Sequence, residues 1–489
     1  MVLSRFLEKL NYNLIKGNAD VEINNLVYDS RKVEKGDVFV CIKGAVSDGH
    51  GYARSVAEKG AAAIVIQDDI EITEDFRDTT IVKVEDTRLA LAYMSAAFFG
   101  YPAKELFTIG ITGTKGKTTT TYMVRDILEN CGIKTGLIGT IQTIIGDEMI
   151  PSANTTPESY KVQEYFRKMV DAGLKCVVME VSSQALMLHR TAGIMFDVGV
   201  FTNLEPDHIG PNEHSSFEDY ARCKSLLFRQ CKTGIFNNDS EHFEEMLLEH
   251  NCDVVTYGIK SEADFNAYDI QYRHSGGDIF TEFSVDGKCS MDVKVSMPGE
   301  FSVYNALCAI AISKQLDTND SKLLEALYQA KVPGRIEPVK VSSDFIIMID
   351  YAHNAMALKS LLTTIREYEP KRVVTVFGCG GNRSRDRRFE MGQVSGELSD
   401  FTIITSDNPR NEEPKDIMKD IEIGINRTGG EYTMVEDRQE AVKYALVNAR
   451  PGDVILVVGK GHEDYQEIKG VKYHMTDREL IENAAKELA

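Results

Sequence analysis

Residues Phe107 to Leu128, FTIGITGTKGKTTTTYMVRDIL, carry the clearest signal of fold in the chain. Phe107, Thr108, Ile109 and Ile111 suit a β-strand, and a turn rich in glycine and hydroxyl groups follows from Gly113 to Thr119. Met123, Val124, Ile127 and Leu128 then recur at helical spacing before Gly132, a helix stop signal. Strand, glycine-rich turn and helix is the layout of a phosphate-binding loop. Glycines let backbone N–H groups crowd around phosphate oxygens, and the helix N-terminus adds a favourable partial charge. In this layout Gly113, Thr114, Lys115, Gly116, Lys117, Thr118 and Thr119 cradle the phosphates. Lys117 reaches the β- and γ-phosphates, and the Thr118 hydroxyl holds Mg²⁺. The loop departs from the strict motif, because Ile111 stands where its first glycine belongs and the nearest glycines are Gly110 and Gly113. The chain is expected to bind a nucleoside triphosphate.

Outward from this loop, a second unit runs from residue 104 to 334. KCVVMEVSS reads as an apolar strand ending in Glu180, Ser182 and Ser183, and FDVGVFTNLEPDH as another ending in Asn203, Asp207 and His208. Polar groups that follow apolar parallel strands lie at the carboxyl edge of the sheet, where α/β enzymes bind ligands. From about Asp253 to Val295 the pattern alternates and predicts antiparallel strands, and FSVYNALCAIAISKQL predicts a helix with Asn305 near its start.

Residues 1–103 form a first unit. VYDSRKVEKGDVFVCIKG predicts two short strands around a polar turn, and SVAEKGAAAIVIQ a helix followed by a strand. The DSR and DGH triplets at Asp29 and Asp48 read as ordinary turn chemistry. Residues 335–489 form a third unit in which strands and amphipathic helices alternate. FIIMIDYAH, RVVTVFGCGG, DFTIITSDNPR, EYTMVED and DVILVVGKGHED are its strands, the pattern of a doubly wound sheet. The predicted class is α/β, with a central phosphate-loop domain and a Rossmann-like C-terminal domain. Here too the strands end in chemistry: Asp350 and His353, Arg383, Asp407 to Arg410, and Gly459 to Glu463.

A length of 489 residues suits about three domains. A formal charge of −20 argues against nucleic-acid or anionic-membrane partners, so an anionic substrate must be met by local basic clusters. Nine cysteines without a CxxC pair suit reduced thiols of a cytoplasmic protein. The N-terminus lacks the apolar core of a signal peptide, and no run approaches the roughly 20 apolar residues of a membrane span.

Transfer of a γ-phosphoryl group requires charge neutralisation and in-line positioning. Glu180 and His208, both after strands close to the loop, are a candidate pair of metal ligands. Lys224, in FEDYARCKSLLF, reads by itself as a surface lysine on a helix. Arginine stands out in this acidic chain, because its fork fits carboxylates bidentately. Arg383 and Arg410, just past strands, could clamp a substrate carboxylate. Arg385, Arg387 and Arg388 in the RSRDRR run read as a solvated helix face.

Taken together, GTKGKTTT, NTTPE, EVSSQALMLHR, FTNLEPDH, YARCK, PGEFSVYNALCAIA, VPGRIEP, DYAHNA, DNPR and GKGHEDY resemble the Mur ligases in order and spacing. These are ATP-dependent amide-forming enzymes of peptidoglycan precursor synthesis, and the resemblance covers essentially the whole chain. It implies a uridine-binding domain, an ATPase domain and an amino-acid-binding domain, and a monomer that uses ATP and Mg²⁺. By position, Lys117, Glu180, His208 and Lys224 fall on catalytic residues. Thr118, Glu180, His208 and Lys224 fall on metal ligands, with Lys224 the lysine that becomes carbamylated (N6-carboxylysine). Asn305, Arg335 and Asp350 match contacts to the adenine nucleotide. Ser30, Asn154, Thr155, Thr156, Ser182 and Arg190 match contacts to a UDP-MurNAc-dipeptide.

Within the family, DNPR marks members that add meso-diaminopimelate, whereas lysine-adding relatives lack its arginine. Arg383, Asp407, Asn408, Pro409, Arg410, Gly459 and Glu463 match contacts to that amino acid. Lys115 replaces a family Asn, Leu188 replaces a Gln, and IGPNEHSS replaces the usual DYHG continuation. The alternatives are the same ligase chemistry with L-lysine or another acceptor, and a nucleotide-binding protein of this fold without turnover.

Overall fold

Strand and helix alternate through most of the chain, which the computed structural model describes at residues 1–44, 47–207, 209–210, 213–275 and 278–488. The chain packs as two compact units, residues 1–264 with 311–318, and residues 265–310 with 319–489.

In the first unit, β1 (Tyr12–Lys16), β2 (Leu26–Val27), β3 (Val38–Val40), β4 (Ala63–Ile66) and β5 (Thr80–Val84) form one sheet in the order β1-β5-β4-β3-β2. Only the β1–β5 pair is antiparallel. Every residue of β3 and β4 is buried. Their side chains alternate between two cores: Val38, Val40, Ala63 and Val65 enter one, and Phe39, Ile64 and Ile66 the other. A strand covered on both faces reads as a continuous apolar run.

The same unit holds β6 (Phe107–Thr112), β7 (Thr135–Ile138), β8 (Gln142–Ile145), β9 (Glu148–Pro151), β10 (Cys176–Glu180), β11 (Phe196–Phe201), β12 (Cys231–Asn237) and β13 (Asp253–Gly258). They are ordered β13-β12-β11-β6-β10-β7-β8-β9, parallel from β13 to β7 and antiparallel beyond it. β6 lies between β10 and β11, and the chain passes from one side of it to the other. Its loop therefore opens at the sheet's switch point, where α/β folds bind ligands. The antiparallel pattern expected from Asp253 does not begin there, because β13 pairs in parallel with β12.

In the second unit, β14 (Phe265–Ser275), β15 (Asp278–Gly287) and β16 (Met291–Val295) make an antiparallel meander. β17 (Glu337–Pro338), β18 (Ile346–Asp350), β19 (Arg372–Phe377), β20 (Phe401–Ile404), β21 (Tyr432–Met434) and β22 (Asp453–Val458) form a sheet ordered β17-β18-β22-β19-β20-β21. Only β17 runs antiparallel to its neighbour. Met348, Val373, Ile404 and Leu456 pack into a core on one face, and Ile347, Ile349, Val374, Ile403 and Ile455 into a core on the other. Helices from both sides complete these cores, which is the doubly wound arrangement expected for this segment. A hairpin of β23 (Tyr465–Ile468) and β24 (Val471–His474) has no counterpart in the sequence reading. Among the described residues no helix is long and apolar enough to cross a membrane.

Candidate active site

The Gly113–Thr119 loop joins β6 to a helix that begins at Lys117. Gly113 and Gly116 have φ of +149° and +84°, values that L side chains rarely adopt. A Cβ on Gly113 would stand 1.9 Å from Thr202 Oγ1, so the turn also needs the missing side chain. The end of β11 holds the loop. Asn203 Oδ1 accepts from Lys115 N at 2.8 Å, the Asn203 carbonyl accepts from Thr114 N at 2.9 Å, and Thr202 Oγ1 donates to the Lys115 carbonyl at 2.7 Å. Lys115 Nζ pairs with Glu205 Oε2 at 2.6 Å. Lys117 Nζ donates to the Gly113 and Thr114 carbonyls at 2.7 and 3.0 Å. Thr119 is buried on the first turn of the helix.

Behind the loop, the carboxylate of Glu180 is buried at the end of β10. Thr118 Oγ1 lies 3.0 Å from each of its oxygens, and Thr140 donates to it through N at 2.8 Å and through Oγ1 at 3.1 Å. Lys224 is only 2% exposed, which corrects its reading as a surface lysine. Its Nζ donates to the Gly113 carbonyl at 2.8 Å and stands 4.4 Å from the Tyr220 ring centre. No described carboxylate forms an ion pair with it, and burial, with Lys117 adding repulsion, holds its ammonium well below the usual lysine range. His208 lies outside the described residues.

A polar group continues from Glu180 within the same unit. Thr155 Oγ1 lies 3.1 Å from Thr140 Oγ1, and Thr156 Oγ1 donates to the Glu180 carbonyl at 2.8 Å while accepting from Ser182 N at 3.0 Å. Ser182 caps the helix Ser183–Met187, and Arg190 Nη1 donates to the Thr156 carbonyl at 2.9 Å. Asn154 is exposed just before them. Ser30 lines a cleft of about 560 Å³ with Tyr28, Asp29, Arg31, Tyr52 and Glu158. Glu158 also pairs with Arg88 at 2.9 Å and lies 3.8 Å from Arg190. The turns at Asp29 and Asp48 are as read from the sequence, each aspartate accepting from the N–H two residues on.

The second unit gathers the remaining candidates. Asn305 is half-buried on the helix Glu300–Ser313. Asp350 accepts from Ile336 N at 2.9 Å and from Ala352 N at 2.8 Å, and burial pushes its carboxyl up against the opposing pull of Arg335. The Arg335 guanidinium lies over the Tyr351 ring, 5.0 Å from its centre. A Cβ on Gly334 would stand 2.1 Å from His462 N, so VPGRIEP and GKGHEDY are in backbone contact. Burial and Arg335 hold His462 down at about 4.

After β20, Asp407 and Asn408 are buried, and Asn408 Nδ2 donates to Glu463 Oε2 at 2.8 Å. Arg410 has φ +52°, a strained value for a non-glycine residue. Its Nη1 donates to the Gly381 carbonyl at 2.7 Å, and Glu467 Oε2 lies 3.4 Å from its Nε. Arg383 is exposed, and a Cβ on Gly380 would lie 3.3 Å from Arg410 Nη1 and 3.9 Å from Arg383 Cγ, so both arginines border one corner. Gly459 adopts φ +111° beside Asp407. Pro409 closes the corner, because a Cβ on Gly381 would meet its carbonyl at 1.9 Å.

The sequence pattern offered no sign of Thr140, Gly381 and Glu467, whose partners are distant in the chain, and it assigned no role to Lys460 within the Gly459–Glu463 strand end. It also misplaced Arg388. That side chain is 2% exposed and binds Asp420 and Glu412, whereas Arg385 remains on the surface.

A glycine loop backed by a buried carboxylate at the switch point of a parallel sheet defines an α/β nucleotide-binding enzyme. The chain belongs to the Mur ligase family. Residues 22–99 match the Mur ligase family catalytic domain, residues 111–313 the Mur ligase middle domain, and residues 334–461 the Mur ligase glutamate ligase domain. It is 42% identical to the UDP-N-acetylmuramoyl-L-alanyl-D-glutamate–2,6-diaminopimelate ligase of Clostridium perfringens, over 98% of this chain and 99% of that one. It is 44% identical to the protein of that name from Caldanaerobacter subterraneus, over 96% of this chain and 95% of the relative. A solved structure of a UDP-N-acetylmuramoyl-L-alanyl-D-glutamate–2,6-diaminopimelate ligase superposes with a TM-score of 0.75 at 26% identity, covering 100% of this chain and 99% of the other. The MurF ligase of Thermotoga maritima in complex with ADP shares the fold, with a TM-score of 0.58 at 19% identity over 96% and 100% of the two chains.

Proposed function

We infer that this chain is an ATP-dependent amide ligase that joins meso-diaminopimelate to the D-Glu of UDP-MurNAc-L-Ala-D-Glu, a step of peptidoglycan precursor synthesis. The full-length likeness to relatives named for that reaction carries the reading. The basic corner formed by Arg410 and Arg383, beside the Asn408–Glu463 pair, supports it. Meso-diaminopimelate is lysine with a second carboxylate on its far end. Arginine is suited to that carboxylate and Glu463 to the neighbouring ammonium.

The γ-phosphoryl group passes from ATP to the D-Glu carboxylate, giving ADP and an acyl phosphate. The amine then attacks the acyl carbon, phosphate leaves, and the amine loses a proton. Lys117 and the loop N–H groups take up the phosphate charge. Thr118 and Glu180 offer converging oxygens of the kind a hard divalent cation accepts, so they fit Mg²⁺, with His208 and Lys224 as further ligands. When bound, Mg²⁺ neutralises charge on the transferring group. Lys224 is assigned as a carbamate, formed when its amine adds to CO₂ and releases a proton. The product is an anionic oxygen donor beside Gly113. Asn305, Arg335 and Asp350 are assigned to the adenine nucleotide. Asn154, Thr155, Thr156, Ser182 and Arg190 are assigned to the muramoyl dipeptide, and Ser30 to the uridine end. The functional division is placed at 1–103, 104–334 and 335–489, and the enzyme is read as a cytoplasmic monomer.

The test is phosphate release with ATP, Mg²⁺ and the UDP-dipeptide, comparing meso-diaminopimelate, L-lysine and L-ornithine, with the product identified by mass spectrometry. Turnover with meso-diaminopimelate alone, lost in Arg410→Ala, is expected. Turnover with lysine alone would keep the ligase and overturn the Arg410 assignment. ATP binding without turnover on any amine would favour a non-catalytic protein.

A further inference from the structure

Lys460 has no role in the assignments above, yet its side chain is fully buried. Its Nζ donates to the Tyr465 carbonyl at 2.5 Å, to Asn408 Oδ1 at 3.2 Å and to Glu463 Oε2 at 3.4 Å, and it stands 3.7 Å from Asp407 Oδ1. A buried ammonium is costly unless its hydrogens find acceptors, and here they do. The consequence falls on Asn408. An ammonium has donors only, so the amide group facing it must be the oxygen. Glu467 N, at 2.9 Å from the same Oδ1, imposes the same orientation. The Asn408 NH₂ is thereby turned toward Glu463 Oε2, 2.8 Å away.

Charge points the same way. One buried lysine faces two carboxylates, and Asp407 Oδ1 is buried without a hydrogen-bond partner. That buried Asp407 oxygen is an open acceptor that a ligand ammonium would complete. We propose that Lys460 is a positioning residue for the incoming amino acid, holding Asn408 and Glu463 in the arrangement that receives its distal ammonium group. This rests on the amide-ligase reading above.

The experiment compares the wild-type enzyme with Lys460→Met and Lys460→Arg. It measures KM for meso-diaminopimelate, ATP and the UDP-dipeptide, and traps the acyl phosphate with hydroxylamine in the absence of amine. In Lys460→Met, KM for meso-diaminopimelate is expected to rise roughly 30-fold, the scale of a lost oriented charge-assisted contact. The other two KM values and the hydroxamate yield should stay within about twofold of wild type, and KM for L-lysine, which carries the same distal ammonium, should rise with that for meso-diaminopimelate. Should Lys460→Met fail to fold, Lys460→Arg is read on the same values, because its wider fork cannot reproduce the ammonium contacts. An unchanged KM for meso-diaminopimelate, or an equal loss of hydroxamate, would overturn the proposal. A wild-type enzyme that forms hydroxamate but no product with meso-diaminopimelate would instead overturn the acceptor reading.

Discussion

The Thr118 hydroxyl sits 3.0 Å from both carboxylate oxygens of Glu180, bridging the first turn of the loop helix to the end of β10. One hydroxyl hydrogen cannot serve both oxygens fully, which leaves lone pairs that the proposed Mg²⁺ would use. Glu180→Gln keeps the shape and one acceptor for Thr140 N. The expected outcome is a fall in kcat of at least about 100-fold, a higher Mg²⁺ requirement and a nearly unchanged melting temperature. A Mg²⁺ titration of phosphate release checks it.

Gly381 has a steric role that its sequence context hides. Its N–H donates to the Asn408 carbonyl at 2.8 Å, and a Cβ would meet the Pro409 carbonyl at 1.9 Å. Gly381→Ala must push the DNPR turn outward. A shift near 1 Å at a positioning contact costs on the order of 100-fold, so KM for meso-diaminopimelate should rise by about that factor. KM for ATP should not change. Equal changes in both would contradict this account.

Asp126, on the helix after the phosphate loop, has a carboxyl pushed up from 3.8 to about 6, mainly by burial, with Glu129 adding to the rise and Arg125 opposing it. The folded state therefore holds this proton more tightly than the unfolded chain does. Between those two values stability falls as pH rises, and above them the ionised group is a standing cost. Asp126→Asn should melt higher than wild type at pH 7 to 8, with the gain shrinking through about pH 6 and vanishing below about pH 4. Calorimetry across this range checks the sign.

Arg438 and Asp477 are both fully buried and doubly bonded, at 2.6 and 2.8 Å. Arg438 Nη2 also donates to the Val458 carbonyl at 3.1 Å, at the end of the strand that precedes Gly459. Arg438→Met leaves Asp477 charged and unpaired, so a loss of about 3–5 kcal/mol is expected for this unit. Denaturant melts of Arg438→Met and of the double variant with Asp477→Leu measure it. The double variant should recover much of the loss.

Much of the architecture was legible before the structure. Strand β6, its loop and the following helix declare themselves by local composition alone. Within each unit the polar residues after the apolar runs stand together, Glu180 beside the glycine loop in the first and Asp407 beside Gly459 in the second, because parallel strands that start on one side of a sheet also end together. Local pattern failed where the deciding partner lies far along the chain. β13 carries no mark of its direction, which its pairing with β12 sets. Arg385 and Arg388 sit in one run of like residues. One remains exposed, and the other is buried between Asp420 and Glu412, which a different helix and loop supply.

The α/β class, the glycine-rich loop and the groups that end each strand are written in local sequence, because backbone preference and hydrophobic period act over a few residues. Only the tertiary structure decided the surroundings of those groups. It buried Lys224 against the Gly113 carbonyl, set Thr140 on Glu180 and enclosed Lys460 among Asp407, Asn408 and Glu463. Burial and the orientation of a side-chain amide are properties of contacts between distant segments, and no local pattern records them.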